Sequence, residues 1–595
     1  MHAIDWAVIF LYFAMTLAVG LYFTKRAGKD IDSFFVSDRR LPWFLSGISL
    51  IATSFASDTP LWMTDLVRTY GVHYVWQYWA PALGGTLAVV LFARLWRRTG
   101  VLTDIELLEV RYSGKWAATL RGWTAFATAL FFCPLIIGWV SKAMETITRE
   151  AMGLPEEYRA WTTALVIGVA LVSCMLSGLW GVVYTDLAQF ILAFFGTTLL
   201  AVISIQQVGG LAEMIERLGG LEGWGGSDLS LLPRVGTGPG DMSIWNFIGY
   251  FGILWVHVAQ SGGFQSQRLL ACKDTRNASF AMLTLSILYY SVICWPWILV
   301  ALCSMILLPE LGPGVEQATA YPRMIVTLLP AGLRGLLLVA LLAAFMSTIS
   351  TMLNWGASYI VNDLYKRFLV REQTAHHYVT VGRLMTFFMA LFGGFISYQG
   401  ESILQLVFIA FVLWGGFAVI GVMRWYWPRM NALGELAASV GAYTLAALMI
   451  LGGVFDGLGR SLMGFEGDLS TDPELLGARM LLMVIVMVAL AVGFTYLSPR
   501  TSDEKLKEFL VMARPFKFFW KSTLLRLGMD YTEGESPGRT LVSWVLLLVS
   551  VYGLLFGIGK FLLGSSLTGV ACLVVFAVSL LVSIRRIKQD CPEGV

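Results

Sequence analysis

The chain has 595 residues, of which 57% are hydrophobic and 14% charged, with a formal net charge of +3 and a mean hydropathy of +0.71. A soluble domain carries about 25% charged residues, so this composition excludes a chain that folds mainly in water. No nucleic-acid partner is expected, and the placement of charge matters more than its sum.

Apolar runs of about 18 residues or more recur from end to end, each long enough to cross a hydrocarbon core of about 30 Å. They predict fifteen spans near 4–24, 42–68, 74–98, 115–147, 158–177, 179–206, 243–271, 277–308, 333–366, 378–397, 402–425, 432–454, 475–498, 541–563 and 566–584. Met1 to Asp5 lacks a basic stretch, so Trp6 to Phe23 reads as a retained first span rather than a cleaved leader. Placing the N-terminus outside puts Lys25, Arg26, Lys29, Arg39, Arg40, Arg94, Arg97, Arg98, Arg268, Lys273 and Arg276 in the cytoplasm. Lys366, Arg367, Arg371, Lys505, Lys507, Arg514, Lys517, Lys521, Arg585, Arg586 and Lys588 then join them. Segments 207–242, 309–332 and 455–474 hold Gly, Pro and acids instead. The rule that cytoplasmic loops are basic therefore predicts N-out and C-in, in the cell inner (plasma) membrane. The seven cysteines fall mostly inside apolar runs without metal spacing and read as buried thiols.

The second span contains Ser49-Leu-Ile-Ala-Thr-Ser-Phe-Ala-Ser-Asp-Thr-Pro60, where Pro60 removes a helical donor and crowds the carbonyl of Ala56. The seventh contains Trp255-Val-His-Val-Ala-Gln-Ser-Gly-Gly-Phe264, loosened at Gly262 and Gly263. Irregular backbone at membrane depth is tolerated only against protein or a water-filled cavity. Two breaks five spans apart point to inverted repeats with a site between them. In the ninth span, Ser347, Thr348, Ser350 and Thr351 form a hydroxyl ladder, with Ala344 one turn earlier on the same face. Uncharged oxygens of this kind replace the hydration shell of a monovalent cation, whereas a divalent site would show several carboxylates. Back-bonding of Ser and Thr to their own helix is the competing explanation. Asp186, near the start of the sixth span, is an intramembrane acid whose charge can balance a cation or a structural partner.

At these residues the chain resembles the sodium:solute symporter family, the group of the sodium–galactose, sodium–proline and sodium–sialic acid carriers. Four stretches carry the resemblance: Ser49 to Phe55, Gly178 to Gln189, Gln267 to Lys273 and Ala344 to Asn354. It implies an all-α polytopic membrane protein with a LeuT-type core of two inverted five-helix repeats, one N-terminal helix and about four C-terminal ones. The expected division is 1–41 for the extra helix and loop, 42–206 for the first repeat, 207–242 for an extracellular loop and 243–425 for the second repeat. Additional helices then occupy 426–500, a cytoplasmic segment 501–538, and terminal helices 539–595. Na+ is the implied coupling ion, with one site formed by Ala52, Phe55, Ala344, Ser347 and Thr348. A second would use Asp186 with Ser347, Ser350 and Thr351, giving two ions per cycle.

The solute does not transfer with the resemblance. After the first break the chain has Ser57-Asp58-Thr59-Pro60-Leu-Trp62, and in the seventh span Val256, His257 and Val258 replace the aromatic pattern of the galactose carriers. Candidate solute contacts are Ser57, Asp58, Thr59, Trp76, Gln77, Trp79, Lys142, His257, Gln260, Gln405 and Trp414. Trp76 and Trp79 fit either a sugar or quaternary-amine cradle or an interfacial aromatic belt. Asp58 suits an amine or hydroxyl, His257 a proton site or a structural histidine, and Lys142 a carboxylate or an outward snorkel. The stretch Phe509 to Leu525 mixes aromatics with Arg514, Lys517 and Lys521, as a helix on the membrane surface would.

The function expected is sodium-coupled uptake of a small polar organic solute, sugar or amino/carboxylic acid-like, with a solute and the bilayer as partners and no obligate protein partner. A solute sensor, a proton-coupled carrier and a channel are the rivals. An enzyme is not expected, because the five histidines (2, 73, 257, 376 and 377) assemble no nucleophile–base pair or metal set.

Overall fold

The computed structural model describes residues 1–27, 39–101, 103–174, 179–221, 228–238, 240–312, 314–400, 402–451, 472–530 and 536–591. Lys29, Gly178 and most of segment 455–474 lie outside them. The described chain is helical, with two isolated bridges, Leu41 to Cys272 and Val235 to Met242.

The helices follow the apolar runs. An initial helix α1 (Ala3–Ala27) precedes α2 (Trp43–Ser54) and α3 (Asp58–Tyr70). Next come α4 (Val72–Thr99), α5 (Lys115–Met152), α6 (Arg159–Cys174) and α7 (Leu179–Val208). The seventh predicted span divides into α8 (Trp255–Gln260) and α9 (Phe264–Ala271). After it run α10 (Thr275–Leu307), α11 (Leu333–Leu369), α12 (His376–Gln399), α13 (Ile403–Tyr426) and α14 (Ala432–Leu451). The last five are α15 (Pro473–Tyr496), α16 (Asp503–Ala513), α17 (Lys517–Leu527), α18 (Pro537–Leu563) and α19 (Ser566–Asp590). Eleven helices among the described residues are long and apolar enough to cross a membrane. The predicted spans at 42–68 and 243–271 fall short of that length because each is interrupted.

The interruptions have local causes. Phe55 leaves α2 in an extended conformation (φ −89°, ψ 104°), and Pro60 sits in the first turn of α3, where its missing N–H costs nothing. The proline therefore starts a helix instead of kinking one. Between α8 and α9, Ser261 and Gly263 are left-handed (φ 50° and 67°). A side chain at Gly263 would meet the Trp355 ring at 2.8 Å, so glycine serves both the turn and the close approach. Leu41 and Lys273 pair across the two broken segments, with Leu41 N–H to Ala271 O and Lys273 N–H to Leu41 O both 3.0 Å.

Wide π-turns interrupt α4, α5 and α10 at Ala88–Phe92, Thr128–Phe132 and Tyr289–Ile293, end α11 at Tyr359–Leu369, and precede α8 at Gly249–Leu254. Such turns concentrate at functional sites. The core helices are apolar all round, as buried membrane helices are. By contrast α19 exposes Val574, Val578 and Leu581, the surface a lipid-facing helix needs.

Two expectations need correction. Arg268 and Arg94 are not loop charges: they are 1% and 2% exposed, held inside the bundle. Segment 509–525 is not one surface helix. It turns at Arg514 (φ 48°) between α16 and α17, and its inner face docks on protein. Trp520 is fully buried and donates to the Trp425 carbonyl at 3.1 Å, while the Arg111 guanidinium lies 5.0 Å over its ring. Phe518 and Leu525 on the outer face stay exposed. The amphipathic pattern holds, but its buried face packs on the Arg111 guanidinium and the Trp425 carbonyl.

Candidate functional site

Where α2 ends, its last carbonyls lose their helical partners. The α11 ladder meets them: Thr348 Oγ1 donates to the Thr53 carbonyl at 3.0 Å. Ala52, Phe55 and Ala344 are buried beside this contact. Ser347, one residue earlier, turns toward α7 and donates to Asp186 Oδ1 at 2.6 Å, while Ser49 from α2 donates to Asp186 Oδ2, also at 2.6 Å. Ser350 bonds back to the Ser347 carbonyl at 3.0 Å. Thr351 instead accepts from Arg268 Nη2 at 2.9 Å, and the same nitrogen reaches Thr53 Oγ1 at 3.3 Å. Arg268 Nε points at Ser49 Oγ, 3.5 Å away, so the guanidinium lies one hydroxyl from the Asp186 carboxylate and is its electrostatic partner. Sequence reasoning did not give Arg268 this place, although a buried acid in a span requires a cation or several donors nearby.

Beside this contact lies a cavity of about 380 Å³, a volume suited to a small solute. Asp58, Thr59, Gln77, His257, Gln260 and Trp414 line it as expected. His257 stacks on Trp414 with ring centres 5.3 Å apart, and Gln260 donates to the Ala418 carbonyl. The close approach needs Gly421, where any Cβ would collide with the Gln260 amide.

The other candidates fall elsewhere. Ser57 is buried and donates to the Val140 carbonyl at 3.2 Å. Trp76 donates to the Leu231 carbonyl at 2.9 Å and packs on Phe251 and Tyr552, and Trp79 is fully buried against Trp295. Neither forms a solute cradle or an aromatic belt, because rotation about the helix turns Trp76, one residue before Gln77, and Trp79, two after it, to other faces. Lys142 is buried away from the cavity, in the field of Glu316, Glu145 and Glu156. Gln405 is exposed in the first turn of α13, its N–H capped by Ser402. Trp62, Tyr78, Trp139, Tyr289 and Phe411 line the cavity instead. Phe411 was findable one helical turn before Trp414; Trp139 gave no signal.

Both ends of the site are tied. On the far side from Arg424, Arg68 Nε donates to Gln317 at 2.7 Å and its Nη1 to Ser304 at 3.0 Å, while Trp62 packs on Phe411. Toward Arg424 the cavity continues past Asp104, Gln265 and Glu435. There the Gly263 N–H donates to Asp104 at 2.8 Å and the Tyr359 hydroxyl donates to the same carboxylate, whose pKa burial raises. Arg424 pairs with Glu435, Nε to Oε1 at 3.0 Å. The cavity thus reaches from mid-bundle toward the Arg424 end and is roofed at the other.

Two broken helices, a hydroxyl ladder against the first break and a cavity between them define a multi-pass membrane transporter. Comparison with known proteins names the family: the sodium:solute symporter family profile matches residues 34–441, and the chain belongs to that family. It is 24% identical over 485 residues to the sodium/glucose cotransporter of Vibrio parahaemolyticus, covering 75% of this chain and 85% of the relative. It is 23% identical to the sodium/pantothenate symporter of Haemophilus influenzae, covering 74% and 89%, and 23% identical to the human sodium/myo-inositol cotransporter, covering 75% and 67%. Among solved structures, a Na+-coupled sialic acid symporter in a substrate-bound outward-open state superposes with a TM-score of 0.64 at 19% identity, covering 84% of this chain and 99% of that one. The protein is accordingly a transporter of sodium-coupled type and not an enzyme.

Proposed function

We propose that the protein carries a small polar organic solute into the cell by sodium symport, with alternating access between two inverted repeats at 42–206 and 243–425. One observation carries the reading: the Thr348 hydroxyl bridges to the open carbonyl end of α2 while its neighbour Ser347 binds Asp186. A first sodium ion would be held by the carbonyls of Ala52, Phe55 and Ala344 and the hydroxyls of Ser347 and Thr348. Asp186, Ser347, Ser350 and Thr351 would take a second. The Arg424 end is the cytoplasmic one, so this conformation is roofed outside and reaches inward, with N-out, C-in orientation in the inner (plasma) membrane. Each charge crossing 100 mV supplies about 2.3 kcal/mol, so two ions give roughly 4.6 kcal/mol, over a thousandfold accumulation before the sodium gradient is counted.

A specific observation favours a second stoichiometry of one ion. Arg268 already donates to Thr351 and neighbours Asp186, so a positive charge is built into the second position in this conformation. Paired sodium and solute flux measurements in proteoliposomes separate the two: a ratio of two requires Arg268 to withdraw, and a ratio of one leaves it in place. The sodium reading itself is tested by Ser347→Ala/Thr348→Ala, which should abolish sodium-dependent uptake; unchanged sodium dependence overturns the assignment.

A further inference from the structure

Asp58 opens α3 and is 8% exposed, beside the cavity. The backbone N–H groups of Asp58 and Thr59 face its carboxylate, and the Trp139 indole reaches it. Those groups account for an acid that merely caps a helix. They do not account for Oδ1, which is buried with no hydrogen-bond partner among the described residues. A buried carboxylate oxygen left without a donor is costly, so the position demands a ligand that brings positive charge or a donor of its own.

The walls narrow the choice. Six aromatic rings follow one another around the cavity. From Tyr289 to Tyr78 the ring centres are 4.9 Å apart, from Tyr78 to Trp62 6.2 Å, and from Trp62 to Phe411 6.1 Å. The chain continues from Phe411 to Trp414 at 5.5 Å and from Trp414 to Trp139 at 6.4 Å. It begins and ends near Asp58, since Tyr289 and Trp139 both lie within the electrostatic reach of that carboxylate. Aromatic faces attract cations, most strongly when water is excluded. The charged side chains of the lining are three carboxylates, Asp58, Asp104 and Glu435, and one guanidinium, Arg424, which Glu435 already engages. An anionic solute would meet net repulsion here, and a neutral polyol could donate to Oδ1 but would leave the charge of the carboxylate uncompensated.

We propose that the transported solute is an organic ammonium, whose charged nitrogen pairs with Asp58 inside this aromatic girdle. The assignment rests on the transport reading and specifies its substrate class. Gln77 Oε1 and Trp62 Nε1, both buried without partners among the described residues, supply an acceptor and a donor for the rest of the molecule. A quaternary or methylated nitrogen would lean on the rings, and a primary amine on Asp58 and Gln77.

The test is a thermal-shift titration of the purified full-length protein in sodium and in potassium. The probes are tetramethylammonium, choline, ethanolamine and glycine betaine, with 3,3-dimethyl-1-butanol as the neutral isostere of choline, and myo-inositol and pantothenate as neutral and anionic controls. The expected result is stabilisation by at least one ammonium probe, about 30-fold tighter for choline than for its neutral isostere if choline is the one bound, with a tenfold or greater loss in Asp58→Asn. That variant should keep the stabilisation by sodium alone, which shows it is folded. Equal binding of choline and its isostere, undiminished ammonium binding by Asp58→Asn, or silence of every ammonium probe overturns the proposal. Ammonium stabilisation that depends on Asp58 but is equal in sodium and potassium leaves it standing and overturns the sodium coupling instead.

Discussion

Two polar regions lie within the same few turns of helix and are finished in opposite ways. Around Asp186 the polar side chains bind one another: Ser49 and Ser347 serve the carboxylate, Thr348 serves Thr53, and Arg268 serves Thr351. Around the cavity, Asp58 Oδ1, Gln77 Oε1 and Trp62 Nε1 are buried without partners among the described residues. A saturated cluster can admit an ion only by exchanging its own bonds, so ion entry and helix movement are the same event there. An unsaturated one is ready for its ligand and need not rearrange. If the first region takes the ion and the second the solute, as proposed above, the contrast assigns gating to one and recognition to the other.

The comparison can be broken in order of expected effect. Arg268→Met should destabilise the protein most, by about 3–5 kcal/mol, because it strands the Asp186 carboxylate in the bundle. Asp186→Asn in the same chain should restore much of that loss in a thermal melt, and an unrescued double variant would mean that Arg268 acts through packing. Next, Ser347→Ala/Thr348→Ala should lower sodium-dependent uptake more than 100-fold while leaving a folded protein, measured by uptake beside the melt. Trp139→Phe keeps a ring but removes a donor from Asp58. Removing one neutral donor is worth about 1 kcal/mol, so solute KM should rise roughly five- to tenfold with the sodium dependence unchanged.

The smallest effect concerns Glu316, in the loop between α10 and α11. Burial raises its pKa above 4.5, opposed by Lys142 and Arg159. A carboxyl raised in the folded state binds more protons folded than unfolded, so its contribution to stability declines as pH climbs from about 4.5 through the folded value. Glu316→Gln should flatten that part of the stability–pH curve, and an unaltered curve would show that Glu316 is not coupled to folding.

Much of the region around Asp186 is legible in the sequence, since hydroxyls at helical spacing and a proline beside small residues are local signals. Ser347 meets Asp186 and Thr348 meets the end of α2, while Ser350 bonds back to its own helix and Thr351 turns to Arg268, a division that helical spacing alone does not give. Arg268 was misplaced because an arginine near a span end reads as a loop charge, and its inward turn depends on an acid 82 positions earlier. The cavity was half legible. Asp58 is marked by its helix break and Gln77 and Trp414 as candidates facing the centre of the bundle, whereas Trp76 and Trp79 are separated from Gln77 by rotation about one helix. Side-chain direction is set by packing between helices distant in sequence, so Trp139 and Tyr289 enter the wall without any neighbouring cue.

The late helices have a temporal consequence. Trp544 in α18 donates to the Leu83 carbonyl at 2.9 Å across 461 residues, and the Tyr552 hydroxyl serves the Trp79 carbonyl at 3.1 Å across 473. At synthesis rates of about 5–20 residues per second, those α4 carbonyls wait roughly 25–90 seconds for their final donors. The Leu83 carbonyl has the Thr86 hydroxyl of its own helix at 3.0 Å in the meantime, so what is delayed is the packing of α18 and its added donors. The face of α4 that receives α18 is therefore completed only when the ribosome delivers the last helices, which makes their docking a late step of assembly.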